Sequence, residues 1–531
     1  MRLLKTLLAA SAIAVVLAGG AYAKSLIYCS EGSPEGFDPA AYTSGTTFDA
    51  ASRTAYSRLV EFAPGKTTLL PGLAESWDIA PDGLTYTFHL RKGVKFQTTD
   101  YFTPTRDFNA DDVVFSFMRQ LDKKNPWYSY TSGISYDYFV SMSLPAELKS
   151  VEKVDDYTVK FTLNTPDAAF LADMGMDFAS IISKEYADSL TKSGNQAQMN
   201  QMPVGTGPFI FVAYQQDAVI RFKANPDYYA GKPKIDDLIF AITSDPSVRV
   251  QKLKAGECDI MSYPNPADIA DLKGDPDLKM EDLPGLNVAY LAYNTQEKPF
   301  DNVKVRQALN MSFDRKAMID AVYGGNAIPA VNPIPPTMWG YNKDTTNLPY
   351  DPEKAKQMLA DAGVKNLTMK IWAMPVSRPY NPNGRRLAEL MQADLAKVGV
   401  TANIDTMDWA QYLKTLGSTS RDGAMQAGWS GDNGDPDNFM AILLGCDAVP
   451  SNNYSNWCDK DFDALIKKAK IATDQAERAK LYEQAEVIFN EQAPWFTIAH
   501  SEVFEPMSKK VVGFTLDPLG YHRFENVDKT E

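Results

Sequence analysis

The segment Gly428-Trp429-Ser430-Gly431-Asp432 comes close to the Gly-x-Ser-x-Gly turn that exposes a nucleophilic serine at the head of a helix. That turn needs its final glycine so that the helix can pack closely behind it, and Asp432 stands there instead. His500 follows downstream, but a serine and a histidine so far apart in a long chain define no triad. The run Asp432-Asn433-Gly434-Asp435-Pro436-Asp437 has the carboxylate density of a calcium loop. Such a loop requires glycine at its sixth position and a bidentate glutamate at its twelfth. Those places hold Asp437 and Leu443, and Pro436 disrupts the loop further, so the run reads more simply as a solvated acidic turn. Gly205-Thr206-Gly207-Pro208-Phe209 lacks the lysine of a phosphate loop. With three histidines in all, His89, His500 and His522, and no Cys-x-x-Cys, an imidazole or thiolate metal centre has little to be built from. The residues point to binding rather than catalysis, with no cofactor.

Strands and helices alternate along the chain and must position whatever site there is. Tyr86, Phe88 and Leu90 alternate with Thr87, His89 and Arg91, which predicts a half-buried strand with His89 on the outer face. Tyr157, Val159, Phe161 and Leu163 repeat the pattern. Asp351 before Pro352 predicts a helix start, with Ala355, Met358, Leu359 and Ala362 as its apolar stripe and Gly363 as its stop. Asp474 with Glu477 three residues on predicts a second, whose face runs through Leu481, Ala485 and Ile488. The punctuation Asp282-Leu283-Pro284-Gly285 precedes an apolar strand from Val288 to Leu291, and a second break falls near Ser501 to Pro506. A chain that leaves one lobe near 284 and returns near 502 has paired crossings, the geometry of a hinge that closes on a ligand.

The 531 residues carry 53 Lys+Arg against 67 Asp+Glu, a net charge of -14, with 44% hydrophobic and 11% aromatic residues. That excludes a disordered chain and argues against a nucleic-acid partner, since phosphate binding needs a basic surface. Residues 1–23 read as a secretory signal peptide: Arg2 and Lys5, an apolar run from Leu7 to Leu17, then the small-x-small site Ala21-Tyr22-Ala23. Export permits disulfides. Four cysteines allow three connectivities. Cys446 and Cys458 lie close together in a loop-like stretch and are expected to pair, leaving Cys29 with Cys258. Closing the short loop contributes about 3 kcal/mol in the chain-entropy description.

Several segments carry a family resemblance. Gly72-Leu73-Ala74-Glu75-Ser76-Trp77, Tyr86 to Phe96, Asn109 to Phe117, Gly205 to Phe209 and Val305-Arg306-Gln307-Ala308-Leu309 resemble the extracytoplasmic solute-binding proteins of the peptide/nickel/opine class. Those proteins serve ATP-driven importers, and the resemblance covers essentially the whole mature chain. A narrower resemblance, to the dipeptide-binding members, rests on Tyr28 to Phe37, Ile334 to Tyr341, Met374 to Pro382 and Gly428 to Asn438. Haem-associated members are similar in the same segments. The resemblance implies an α/β, two-lobed periplasmic binding protein fold with an extra subdomain in the first lobe. It divides the chain into the signal peptide (1–23), the first lobe's core (24–56 and 206–283), its extra subdomain (57–205), the second lobe (284–501) and a return to the first (502–531). It also implies the disulfide pairing given above, an inner-membrane permease as partner, a periplasmic location and a monomer.

A dipeptide is a zwitterion, and burying either charge unpaired costs several kcal/mol. The resemblance assigns the ligand amine to Asp432 and its carboxylate to Arg378, whose planar fork matches a carboxylate. Thr43, Pro379, Tyr380, Trp429, Ser430 and Gly431 map onto contacts with the ligand backbone or the pocket wall. Two fixed charges also select length, because each extended residue adds about 3.3–3.6 Å. The rival ligands are longer or glutathione-like peptides, haem and chelated nickel, and the rival class is a secreted peptidase.

Overall fold

The computed structural model describes residues 23–131, 133–472 and 474–530, so the signal peptide expected at 1–23 lies outside the described residues save for its last position. The fold is organised by the 14-residue strand Trp495–Ser508. Its first half pairs antiparallel with Asn287–Tyr293, and its second half pairs antiparallel with Leu278–Pro284. One strand thus belongs to both lobes of a 12-stranded mixed sheet. On one side the order continues through Ala424–Ser430, Thr368–Trp372 and Thr401–Asp405; on the other through Ile260–Met261, Ser25–Cys29, Asp237–Ala241, Val219–Ala224 and Phe209–Gln215. Asn287–Tyr293 is buried at every position, which explains its unbroken apolar run.

The two crossings between lobes lie side by side. The Gly285 N–H donates to the Ser501 carbonyl at 3.1 Å, and the Asn287 amide bonds both the N–H and the carbonyl of Ser501. A Cβ at Gly285 would lie 2.1 Å from the Asn287 side chain, so glycine is required at this crossing.

A separate four-stranded sheet contains Ala74–Ile79, Thr85–Leu90, Thr158–Leu163 and Leu148–Asp155. Tyr86, Phe88 and Leu90 are buried, while His89 faces out and meets Asp78 at 2.8 Å. Helix Pro352–Asp361 is capped by Asp351 through the Lys354 N–H at 2.9 Å, with Gly363 at φ 77 just beyond its end. Helix Gln475–Gln492 is capped by Asp474. Its buried face runs through Leu481, Tyr482, Ala485, Glu486 and Phe489, broader than the expected stripe, and Ile488 sits at its half-buried edge. Disulfides join Cys29 to Cys258 and Cys446 to Cys458. Among the described residues no helix is long and apolar enough to cross a membrane.

Candidate functional site

Strand Thr368–Trp372 runs parallel to Ala424–Ser430, so the loops that leave their carboxyl ends emerge on the same side of the sheet. Carboxyl ends of parallel strands are where α/β sheets hold ligands. One of these loops carries Arg378, Pro379 and Tyr380; the other carries Asp432. Both face a cleft whose opposite wall, from the first lobe, includes Thr43, Asp49, Tyr138 and Tyr521. Of the residues expected in the site, Thr43, Arg378, Pro379, Tyr380, Trp429, Ser430 and Asp432 all line this cleft.

The Arg378 loop is held rigidly. Arg378 and Asn381 exchange backbone hydrogen bonds at 3.0 Å, Tyr323 Oη donates to the Tyr380 carbonyl at 2.7 Å, and Ser501 Oγ donates to the Pro379 carbonyl at 2.7 Å. The guanidinium lies over the Trp409 ring, 5.0 Å from its centroid, and Nη1 meets Glu31 Oε1 at 2.6 Å. Glu31 comes from the first lobe, so this ion pair spans the cleft. Both side chains are buried; the guanidinium and His522 outweigh the cost of burial and hold the Glu31 carboxyl below its ordinary range.

Asp432 is seated by Asn438, whose Nδ2 donates to Asp432 Oδ2 at 3.0 Å and whose Oδ1 accepts the Asp432 N–H at 2.8 Å. The same Oδ1 accepts the Trp429 indole N–H at 3.2 Å, so one amide orients two cleft residues. The Asp432 carboxylate has no cationic partner within 4.0 Å among the described residues, and burial pushes its pKa up to about 7. Gly428 lets the wall close: a Cβ there would fall 2.1 Å from the Tyr380 ring.

Behind Thr43 the first lobe buries a second charge cluster. His522 Nδ1 meets Asp49 Oδ2 at 2.7 Å and Nε2 meets Glu505 Oε2 at 3.2 Å. The two carboxylates overcome burial and raise the imidazole well above its ordinary pKa.

Two sequence readings change. Gly431 does not line the cleft; its N–H donates to the Leu286 carbonyl, and a Cβ would meet the Phe439 ring at 2.8 Å, so its smallness serves packing behind the site. The acidic run is not solvated. Asp435 forms a two-bond pair with Arg478 at 2.8 Å each, and Asn433 donates to Asp173 of the first lobe at 2.8 Å, so contact between the lobes buries it. Among the described residues no group of three or more His, Cys, Asp or Glu is placed to hold a metal ion. His500 bonds the Asn287 carbonyl at 2.7 Å, and burial lowers its pKa to about 4; neither it nor His522 is bonded to Ser430. Gly205 and Gly207 press on the backbone of Ala55 and Thr54, where a Cβ would come within 2.1 and 2.4 Å, which makes that motif structural. Glu31 and Asn438 were missed as contributors to the site, although both lie inside segments that carried the resemblance.

Two lobes joined by a pair of adjacent crossings, with opposite charges facing the cleft between them, define a binding protein that encloses its ligand. The chain belongs to the bacterial extracellular solute-binding proteins, family 5, whose profile matches residues 68–451. It is 54% identical over 522 residues to the dipeptide-binding protein of Escherichia coli (strain K12), covering 97% of each chain. It is 53% identical over 529 residues to di/tripeptide-binding protein 1 of Pseudomonas aeruginosa (strain UCBPP-PA14), covering 99% of this chain and 97% of that one. Among solved structures, the dipeptide binding protein from Pseudoalteromonas sp. SM9913 in complex with Met-Leu superposes with a TM-score of 0.92 at 40% identity, over 96% of this chain and 100% of that one.

Proposed function

We propose that this protein captures dipeptides in the periplasm as a monomer and delivers them to an ATP-driven importer of the inner membrane. The observation that carries the reading is the pairing of Arg378 and Asp432, a cation and a carboxylate fixed on neighbouring strand ends and facing one cleft. In this reading Asp432 takes the ligand ammonium and Arg378 its carboxylate. Thr43, Tyr380, Trp429 and Ser430 meet the ligand backbone, while side chains project into hydrated space where waters adjust to each ligand. In this reading 57–205 is an added subdomain, supported by the four-stranded sheet within it, and 284–501 is the second lobe. The Escherichia coli dipeptide-binding protein and the Pseudoalteromonas dipeptide binding protein in complex with Met-Leu support the ligand class.

Calorimetry tests it. Asp432→Ala and Arg378→Ala each leave one ligand charge buried and unpaired, which weakens dipeptide binding by about 3–5 kcal/mol. N-acetylated and amidated dipeptides fail against the unmutated protein for the same reason. Either variant within threefold of wild type removes that residue from the site. Release of free amino acids from a dipeptide would favour the peptidase reading instead.

A further inference from the structure

We infer that Tyr263 is a further ligand contact, a first-lobe hydroxyl that donates to the ligand carboxylate beside Arg378. The inference rests on the dipeptide reading above and adds a donor at its carboxylate end.

The backbone marks the residue. Tyr263 has φ 48, and among the described residues it is the one aromatic at positive φ. Bulky side chains rarely adopt that conformation, which persists only where the surroundings impose it and which clusters at ligand clamps. Here Arg249 imposes it. Its Nη2 donates to the Tyr263 carbonyl and its Nε to the Ser262 carbonyl, both at 3.0 Å. Its Nη1 donates to the carbonyls of Thr243 and Ser244, at 2.8 and 2.9 Å. The guanidinium is thus spent on backbone carbonyls, and it fixes the turn that carries Tyr263.

The side chain stands at the carboxylate end of the cleft. Tyr263, Arg378 and Pro379 are the three residues that line both the peptide cleft and the smaller cavity next to it. Tyr263 comes from the first lobe and Arg378 from the second, so the two meet where these spaces join. The Tyr263 ring lies edge-on to His522, with centroids 5.7 Å apart. Its hydroxyl has no hydrogen-bond partner among the described residues, and unlike the Tyr28 hydroxyl it is not sealed in the interior. Burial raises its pKa, and Glu31 and Asp49 raise it further, so the phenol keeps its proton and acts as a donor.

A ligand carboxylate has use for that donor. Arg378 Nη1 is already engaged by Glu31, an ionised carboxylate that can only accept. The remaining guanidinium N–H groups serve an incoming carboxylate only in part, because it presents about four acceptor sites. A neutral phenol adds a donor without adding charge. The contact also ties a ligand held by the second lobe to the first, so it forms only on closure and contributes to the differential affinity that closure needs.

Calorimetry on the full mature protein tests the contact with Ala-Ala and with its C-terminal amide. Tyr263→Phe removes only the hydroxyl and keeps the ring. It is expected to weaken Ala-Ala by about 10–100-fold, the effect of losing a hydrogen bond to a charged group, and to weaken the amide by less than about threefold. Ala-Ala affinity within twofold of wild type overturns the contact. An equal loss for both ligands also overturns it, because the hydroxyl then acts somewhere other than the carboxylate. Wild-type protein that binds neither ligand overturns the dipeptide reading itself, and this contact with it.

Discussion

Glu31 Oε1 and Arg378 Nη1 lie 2.6 Å apart across the cleft, although 347 positions separate them in the chain. The pair joins the first lobe to the cation proposed to receive the ligand carboxylate. Breaking one partner of a buried pair costs about 3–5 kcal/mol, while about 5.5 kcal/mol moves a two-state equilibrium from 1:99 to 99:1. Glu31→Gln is therefore expected to open a large share of ligand-free molecules. Solution scattering should give a larger ligand-free radius of gyration for the variant and equal radii at saturating dipeptide. Equal ligand-free radii would show that the pair does not hold the lobes together.

In the proposed site, Asp432 makes binding depend on pH. Its ligand-free pKa is raised to about 7 by burial, and an ammonium partner lowers it in the complex. Binding below that value must expel a proton, so affinity is full above about pH 7 and falls as pH decreases, by up to about tenfold per unit. The ligand amine, with a pKa of about 8, stays charged as pH falls below about 7. Calorimetry in buffers of different ionisation enthalpy should register proton release near pH 6, and Asp432→Asn should abolish both the release and the slope. A slope that survives in that variant assigns the titration to another group.

Gly428 tests the cleft wall. A Cβ placed 2.1 Å from the Tyr380 ring forces the ring outward into the space proposed for the ligand. Gly428→Ala should cost about 1–3 kcal/mol of stability through overpacking, and should weaken dipeptide binding more than a Tyr380→Phe change does. Normal affinity in Gly428→Ala would place the ligand away from that ring.

The sequence made legible what depends on neighbours in the chain. The alternation in 86–90 and the Asp351 cap translate directly into structure. Long-range partners were not legible, because spacing carries no signal for them. Nothing near Arg378 names Glu31, and nothing in the acidic run shows that Asp173 and Arg478 will bury it. The one local miss was Asn438. It lies six positions after Asp432, where an Asx side chain returning to the turn was a readable possibility.

His522 offers the last test. It lies between Asp49 and Glu505, with Glu31, Arg378, Arg249, Tyr28 and Tyr263 completing the charged and titratable surroundings. Its pKa is raised well above the ordinary value by the two carboxylates. A raised histidine contributes stability that is fully present below its unfolded pKa, near about 6.5, and is lost as pH rises through the folded pKa. At neutral pH the imidazolium therefore still stabilises the fold, and His522→Leu leaves two carboxylates buried without a cation. The expected cost is about 3–5 kcal/mol at neutral pH. Burial also raises Asp49 and Glu505 above their usual range, so both protonate readily in the variant as acid is added, and the penalty shrinks. Urea unfolding of both proteins across pH 4 to 8 measures the difference. A gap that stays constant over that range would mean His522 acts through packing against Tyr28, 5.0 Å away, rather than through its charge.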